Sequence, residues 1–215
     1  MQTEKTRLPS DDAVRRALSE FQVNANQEQV KQIQQYIDIL LRWNDKINLT
    51  AIRDPLEILY RHICESAFGT SVVSVEKCRL ADVGSGGGFP GIPMKIARPD
   101  IDLFLVESNM KKATFLTEVV RELGLTGVRV LVSRYEELSE EVAPLDLVCS
   151  RAVGDFAPFL EWASSPAIGT QKVALWIGAQ DAESVRRLRT WSWDEPKPIP
   201  HSLRRFILVG TRSTQ

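Results

Sequence analysis

Residues 82–93 read DVGSGGGFPGIP, five glycines and two prolines placed directly after the apolar run RLADV at 79–83. Between a strand and a helix, such a stretch is where doubly wound folds bring bare backbone against a ligand; without that setting the glycines would mark only a turn that needs positive φ. The setting is present. IDLFLVE (101–107), VRVLVS (128–133), LDLVCS (145–150), KVALWI (172–177) and RFILVG (205–210) read as strands, and helical patterns fall between them at about 90–98, 110–123, 155–164 and 180–190. This alternation predicts an α/β fold, a mostly parallel sheet with helices on both faces.

Upstream the period is different. Val30, Ile33, Ile37, Leu40 and Leu41 recur at helical spacing between Gln27 and Trp43, and Asp54-Pro55 reads as the N-cap and first residue of a helix reaching about Ser66. Asn48-Leu49-Thr50 matches a glycosylation sequon but is expected to be a capping turn between those helices. The predicted organisation is an N-terminal helical extension over residues 1–70 and a second domain over 71–215.

Composition narrows the class. The chain has 215 residues, 43% hydrophobic and 26% charged, enough to bury a full core. No run approaches the ~18 apolar residues of a membrane span, and the start MQTEKTRLPSDD lacks the apolar segment of a signal peptide, so a cytoplasmic protein is expected. Cys64, Cys78 and Cys149 are far apart and form no CxxC pair, and the two histidines, His62 and His201, are distant, so neither disulfides nor a metal site is expected. A formal net charge of −1 means that any nucleic-acid contact must come from local patches.

The glycine loop can be framed in two registers. Gly86, Gly88 and Gly91 satisfy the dinucleotide pattern GxGxxG, whereas Gly84, Gly86 and Gly88 give GxGxG from the strand end. A pyrophosphate needs free N–H groups at the helix start, and Pro90 and Pro93 remove donors there. A phosphate-free nucleoside cofactor, S-adenosyl-L-methionine, therefore fits better than NAD, which stays as the alternative in an oxidoreductase or sensor. Glu107 lies 23 positions after Gly84, near the offset of roughly 20 at which an acid meets ribose hydroxyls. Ser108 follows it, and Tyr135 and Glu136 after the third strand are placed to flank an adenine and accept from its amine.

After the fourth strand stands VCSRAVGD. It lacks the Asn/Asp-Pro-Pro-aromatic run of amino-group methyltransferases, and Cys149 sits inside an apolar strand, expected as core rather than as a nucleophile. The acceptor then needs neither covalent attack nor an amine clamp. Guanine N7 has a lone pair and no proton, so alignment and desolvation suffice and no catalytic base is assigned; a small-molecule acceptor is the other possibility. Arg186, Arg187 and Arg189, with Arg204 and Arg205, form either a phosphate-facing patch or solvated faces. His62 and Ser66, four apart on one helix face, read on their own as packing or capping.

Taken together, RWNDKINLTAIRDPLEILYRHICES, the glycine loop, RPDIDLFLVES, SRYEEL and SRA resemble the ribosomal RNA small subunit methyltransferase G family, also called glucose-inhibited division protein B, over about residues 28–180. The resemblance implies a Rossmann-like fold and methyl transfer from S-adenosyl-L-methionine to N7 of one guanine in bacterial 16S rRNA. The near-zero net charge adds the expectation that the substrate is the small ribosomal subunit or an assembly intermediate, and the enzyme is expected to be a monomer. The resemblance also implies cofactor contacts at Gly84, Gly86, Gly88, Phe89, Glu107, Ser108, Tyr135, Glu136 and Arg151, with His62, Ser66 and Arg151 on the substrate side. Two positions depart from the family pattern: Glu65 stands where Asp is usual, and Ile177 precedes Gly178 where Lys is usual.

Overall fold

A computed structural model of the protein describes residues 7–138, 142–151 and 154–213. The start MQTEKT and Ala152 of the SRA motif lie outside those residues. Among the described residues, no helix is long and apolar enough to cross a membrane.

The strands form one eight-stranded sheet: β1 (Arg79–Val83), β2 (Asp102–Val106), β3 (Val128–Leu131), β4 (Leu147–Ser150), β5 (Lys172–Gly178), β6 (Trp191–Trp193), β7 (Lys197–Pro198) and β8 (Arg205–Arg212). Their order is β3-β2-β1-β4-β5-β8-β6, with β7 also on β8. The pairs among β1 to β5 are parallel, and β8 enters antiparallel between β5 and β6. All six strands expected from the sequence are present. The helical pattern at 180–190 stops early, at Val185, because Trp191 and Trp193 pair with β8 and Trp191 Nε1 donates to Leu160 O at 3.3 Å.

Alternation along the strands sorts side chains between two cores. Leu80, Leu103, Leu105, Leu147, Cys149 and Trp176 face one side. Ala81, Phe104, Val106, Val148 and Leu175 face the other, against α8 (Phe156–Ser164) and α9 (Ala179–Val185).

The first core is shared with the N-terminal helices α1 (Asp11–Glu20) and α2 (Gln27–Asn44). Ser10 caps α1 by accepting from Ala13 N–H, and Asn26 with Gln29 forms a capping box on α2. Val30, Ile33, Ile37 and Leu40 of α2 are fully or almost fully buried, as their spacing predicts. Gln29 Nε2 also donates to Ile96 O at 2.7 Å, at the C-terminal end of α6 (Gly91–Ala97), which follows the glycine loop. The 44–50 turn is organised by Asn44, not by the sequon: its side chain accepts from Leu49 and Thr50 N–H and donates to Thr50 O, all within 3.0 Å.

Asp54 caps α3 (Pro55–Ile58) as expected. The helix continues through a π-helical turn at Leu59–Cys64 into α4 (Glu65–Ala67), with a further short turn α5 (Gly69–Val72) before β1. In the π turn, Glu65 N–H reaches back five residues to Tyr60 O.

Candidate active site

Gly84 and Ser85 N–H both donate to Val106 O, tying the loop to the end of β2, and Ser85 Oγ donates to Asp82 O. Gly84, Gly86 and Gly88 all have positive φ, +71°, +53° and +88°, but they do different work. A Cβ on Gly84 would meet nothing within 4 Å, so this backbone faces open space. A Cβ on Gly88 would lie 2.6 Å from the Tyr36 hydroxyl and 2.5 Å from Ile92 Cδ1, so this glycine is packed against α2.

A cleft of ≈ 270 Å³ opens at Gly84, lined also by Glu107, Ser108, Tyr135, Glu136 and Asp155. It gathers five residues chosen from the sequence: Gly84, Glu107, Ser108, Tyr135 and Glu136. Glu107 is 7% exposed; its two carboxylate oxygens accept from Gly86 N–H at 2.9 Å and Asn109 N–H at 2.8 Å. It therefore clamps the glycine loop to the start of α7 (Met110–Glu122) while keeping lone pairs for a ligand. Asp155, the N-cap of α8, was not anticipated; an acid ahead of an apolar helix was the available signal.

The amides at the start of α6 are already satisfied. Gly91 N–H donates to the Asp82 carboxylate at 3.0 Å, Ile92 N–H to Gly88 O and Phe89 N–H to Ser85 O. Asp82 is fully buried and takes an N–H of the kind a pyrophosphate would need; burial pushes its carboxyl up to about 7. The loop thus suits a nucleoside ligand without phosphates, with the acid at Glu107 and open backbone at Gly84, and S-adenosyl-L-methionine meets that description.

A second cluster lies beside the first, around Glu65, which is 2% exposed. Arg205 meets its carboxylate through two nitrogens, at 2.6 and 3.1 Å, Arg151 Nη2 is at 3.2 Å and Arg61 Nε at 3.8 Å. Arg151 Nη2 also donates to Arg61 O at 2.8 Å, a carbonyl that the π turn has withdrawn from Glu65 N–H. Arg151 Nη1 lies 3.5 Å from Ser66 Oγ. Three guanidiniums thus converge on one carboxylate. Trp176 Nε1 fixes the same residue by donating to Glu65 O at 2.8 Å.

His62 joins the two regions. Its ring stacks on Phe89 of the glycine loop, centroids 4.6 Å apart, and its Nε2 lies 2.6 Å from Thr50 Oγ1. Burial, then the guanidiniums of Arg151 and Arg61, holds the imidazole down to about 3, so it is neutral near pH 7. Arg151, His62 and Ser66 are therefore brought together as expected of one side, whereas Arg151 stands apart from the residues lining the Gly84 cleft. Arg205 settles differently from either reading of the arginine patch: it is half-buried on Glu65, while Arg186 and Arg187 pair with Glu195 and Glu183. Cys149 is fully buried and its thiol is pushed well up by burial, which suits core and not a nucleophile.

Residues 29–195 match the family described as rRNA small subunit methyltransferase G. A ribosomal RNA small subunit methyltransferase G from Chromobacterium violaceum is 39% identical over 197 residues, covering 88% of this chain and 85% of that protein. One from Dichelobacter nodosus is 37% identical over 158 residues, 74% of each chain, and one from a Neisseria meningitidis strain is 43% identical over 128, covering 60% of that protein. Among solved structures, a SAM-dependent methyltransferase from Aquifex aeolicus superposes with a TM-score of 0.58 at 14% identity, covering 74% of this chain and 94% of its own. A ribosomal protein L11 methylase from Lactobacillus delbrueckii gives 0.54 at 16%, covering 72% and 80%; at such identity these two speak to the fold alone. With the family match running from α2 through β6 and including the glycine loop, Glu107 and Glu65, the chain belongs to the rRNA small subunit methyltransferase G family and is a methyltransferase that uses S-adenosyl-L-methionine.

Proposed function

We propose that the protein methylates N7 of one guanine in bacterial 16S rRNA, acting on the small ribosomal subunit or an assembly intermediate. S-adenosyl-L-methionine supplies a methyl carbon on a sulfonium. Gly84, Glu107, Ser108, Tyr135 and Glu136 would bind its nucleoside part, with Glu107 accepting from the ribose. The acceptor would enter on the Arg151 side, where Arg61, Arg151 and Arg205 offer more positive charge than Glu65 cancels and so suit an RNA phosphate.

The observation that carries the N7 reading is that, among the described residues, no strong base is poised for proton abstraction on that side. The His62 imidazole, held down to about 3, is too weak a base for that step: its Nε2 lies against Thr50 Oγ1 and its Nδ1 is buried without a partner, while Glu65 is paired with Arg205 and Arg151. An N7 acceptor asks for no proton removal, only alignment in a site closed to water. Small subunits lacking the modification, incubated with methyl-labelled donor, should carry label at a single guanosine that becomes cleavable by borohydride and aniline. Label on an exocyclic amine or ring carbon would overturn the assignment.

A further inference from the structure

Beside the acceptor cluster, the loop 199–204 between β7 and β8 presents an apolar residue to solvent. Leu203 is 98% exposed, the most exposed large apolar side chain among the described residues, and Arg204 beside it is exposed too. Isolated exposed leucines are common, but this one stands on a braced support. Ile199 is buried at the loop's base, and Ser202 Oγ accepts from Arg205 N–H at 3.1 Å and Arg204 N–H at 3.4 Å. His201 Nε2 lies 3.0 Å from Glu20 Oε2, and its ring packs at 5.5 Å on Phe21 and edge-on at 6.1 Å to Tyr60, the residue before Arg61. Arg205, the first residue of β8 after the loop, is the one bound to Glu65.

A guanine within an A-form helix turns N7 into a deep, narrow major groove that side chains cannot enter, so an acceptor in paired RNA must first be unstacked. Apolar side chains inserted between base steps do this in nucleic-acid binding proteins. An exposed leucine followed by an exposed arginine suits a polyanion with a stacked, apolar interior better than a wholly apolar protein face.

We infer that Leu203 is an RNA-opening wedge, pressed between bases next to the target guanine while Arg204 meets the adjoining phosphate. The inference rests on the proposed RNA acceptor. Because the side chain touches almost nothing in the protein, its replacement leaves the fold intact. Leu203→Ser should lower kcat/KM on unmodified small subunits by about tenfold or more, with S-adenosylhomocysteine affinity by calorimetry unchanged. Leu203→Phe, which restores an insertable apolar group, should recover the rate. A serine variant as active as the parent overturns the wedge, and so does a loss that phenylalanine does not recover. If the parent itself binds S-adenosylhomocysteine yet transfers no methyl to the subunit, the RNA acceptor falls and the wedge with it.

Discussion

Glu107 holds two backbone amides, Gly86 in the glycine loop and Asn109 at the start of α7, and under the proposed function it also receives the ribose. Glu107→Ala should therefore weaken S-adenosylhomocysteine binding, measured calorimetrically, by at least about tenfold, since hydrogen bonds to a charged acceptor contribute roughly 1.5–3 kcal/mol each. Equal binding by parent and variant would show that the ribose lies elsewhere. This residue was legible because a strand-end acid stands at a fixed distance from the loop. Asp82 was not: it sits inside the quoted motif, but only the packed structure shows that its carboxylate takes Gly91 N–H. Nor could spacing find Arg205, whose partner Glu65 is 140 positions away.

At the level of elements, α2 is the rear wall of the glycine loop. The Tyr36 hydroxyl donates to Gly87 O, and its ring lies 5.7 Å from Phe89, which in turn stacks on His62. Tyr36→Phe keeps the buried ring and leaves the Gly87 carbonyl unsatisfied, at a cost of about 1–3 kcal/mol. Thermal unfolding should drop by roughly 2–4 °C for each kcal/mol, and S-adenosylhomocysteine affinity should fall several-fold as the loop loosens; a lower melting point with unaltered affinity would separate α2 from the cofactor side. The buried face of α2 and the six main strands could be read from periodicity, because burial repeats at 3.6 or 2 residues. The π turn at Leu59–Cys64 could not, since one added residue shifts the helical period without a compositional mark. The three residues of β6 are likewise too few to show a period.

Across the whole molecule, two buried groups make stability respond to pH in opposite directions. Asp82, raised from 3.8 to about 7, binds a proton more readily folded than unfolded, so its contribution is complete below about 4 and is lost as pH rises through 7, a loss on the order of 4 kcal/mol. His62, lowered from 6.5 to about 3, contributes fully above 6.5 and loses that contribution as pH falls toward 3. Relative to the parent, Asp82→Asn should gain stability as pH rises from 4 to 7, and His62→Gln should gain as pH falls from 6.5 to 3. Melting curves across that range would test both, and parallel curves for parent and variants would refute the assignment. One topological fact bears on how the molecule is made. β8 follows β5 and β6 in the chain, yet it lies between them in the sheet and begins with the arginine that meets Glu65 in two contacts. Until residues 205–212 leave the ribosome, β5 has an exposed edge able to pair with other chains, and the Glu65 carboxylate lacks its closest cation. The nascent chain therefore cannot complete the arginine cluster on Glu65 early, and it depends on β8 both for that cluster and to stop being adhesive.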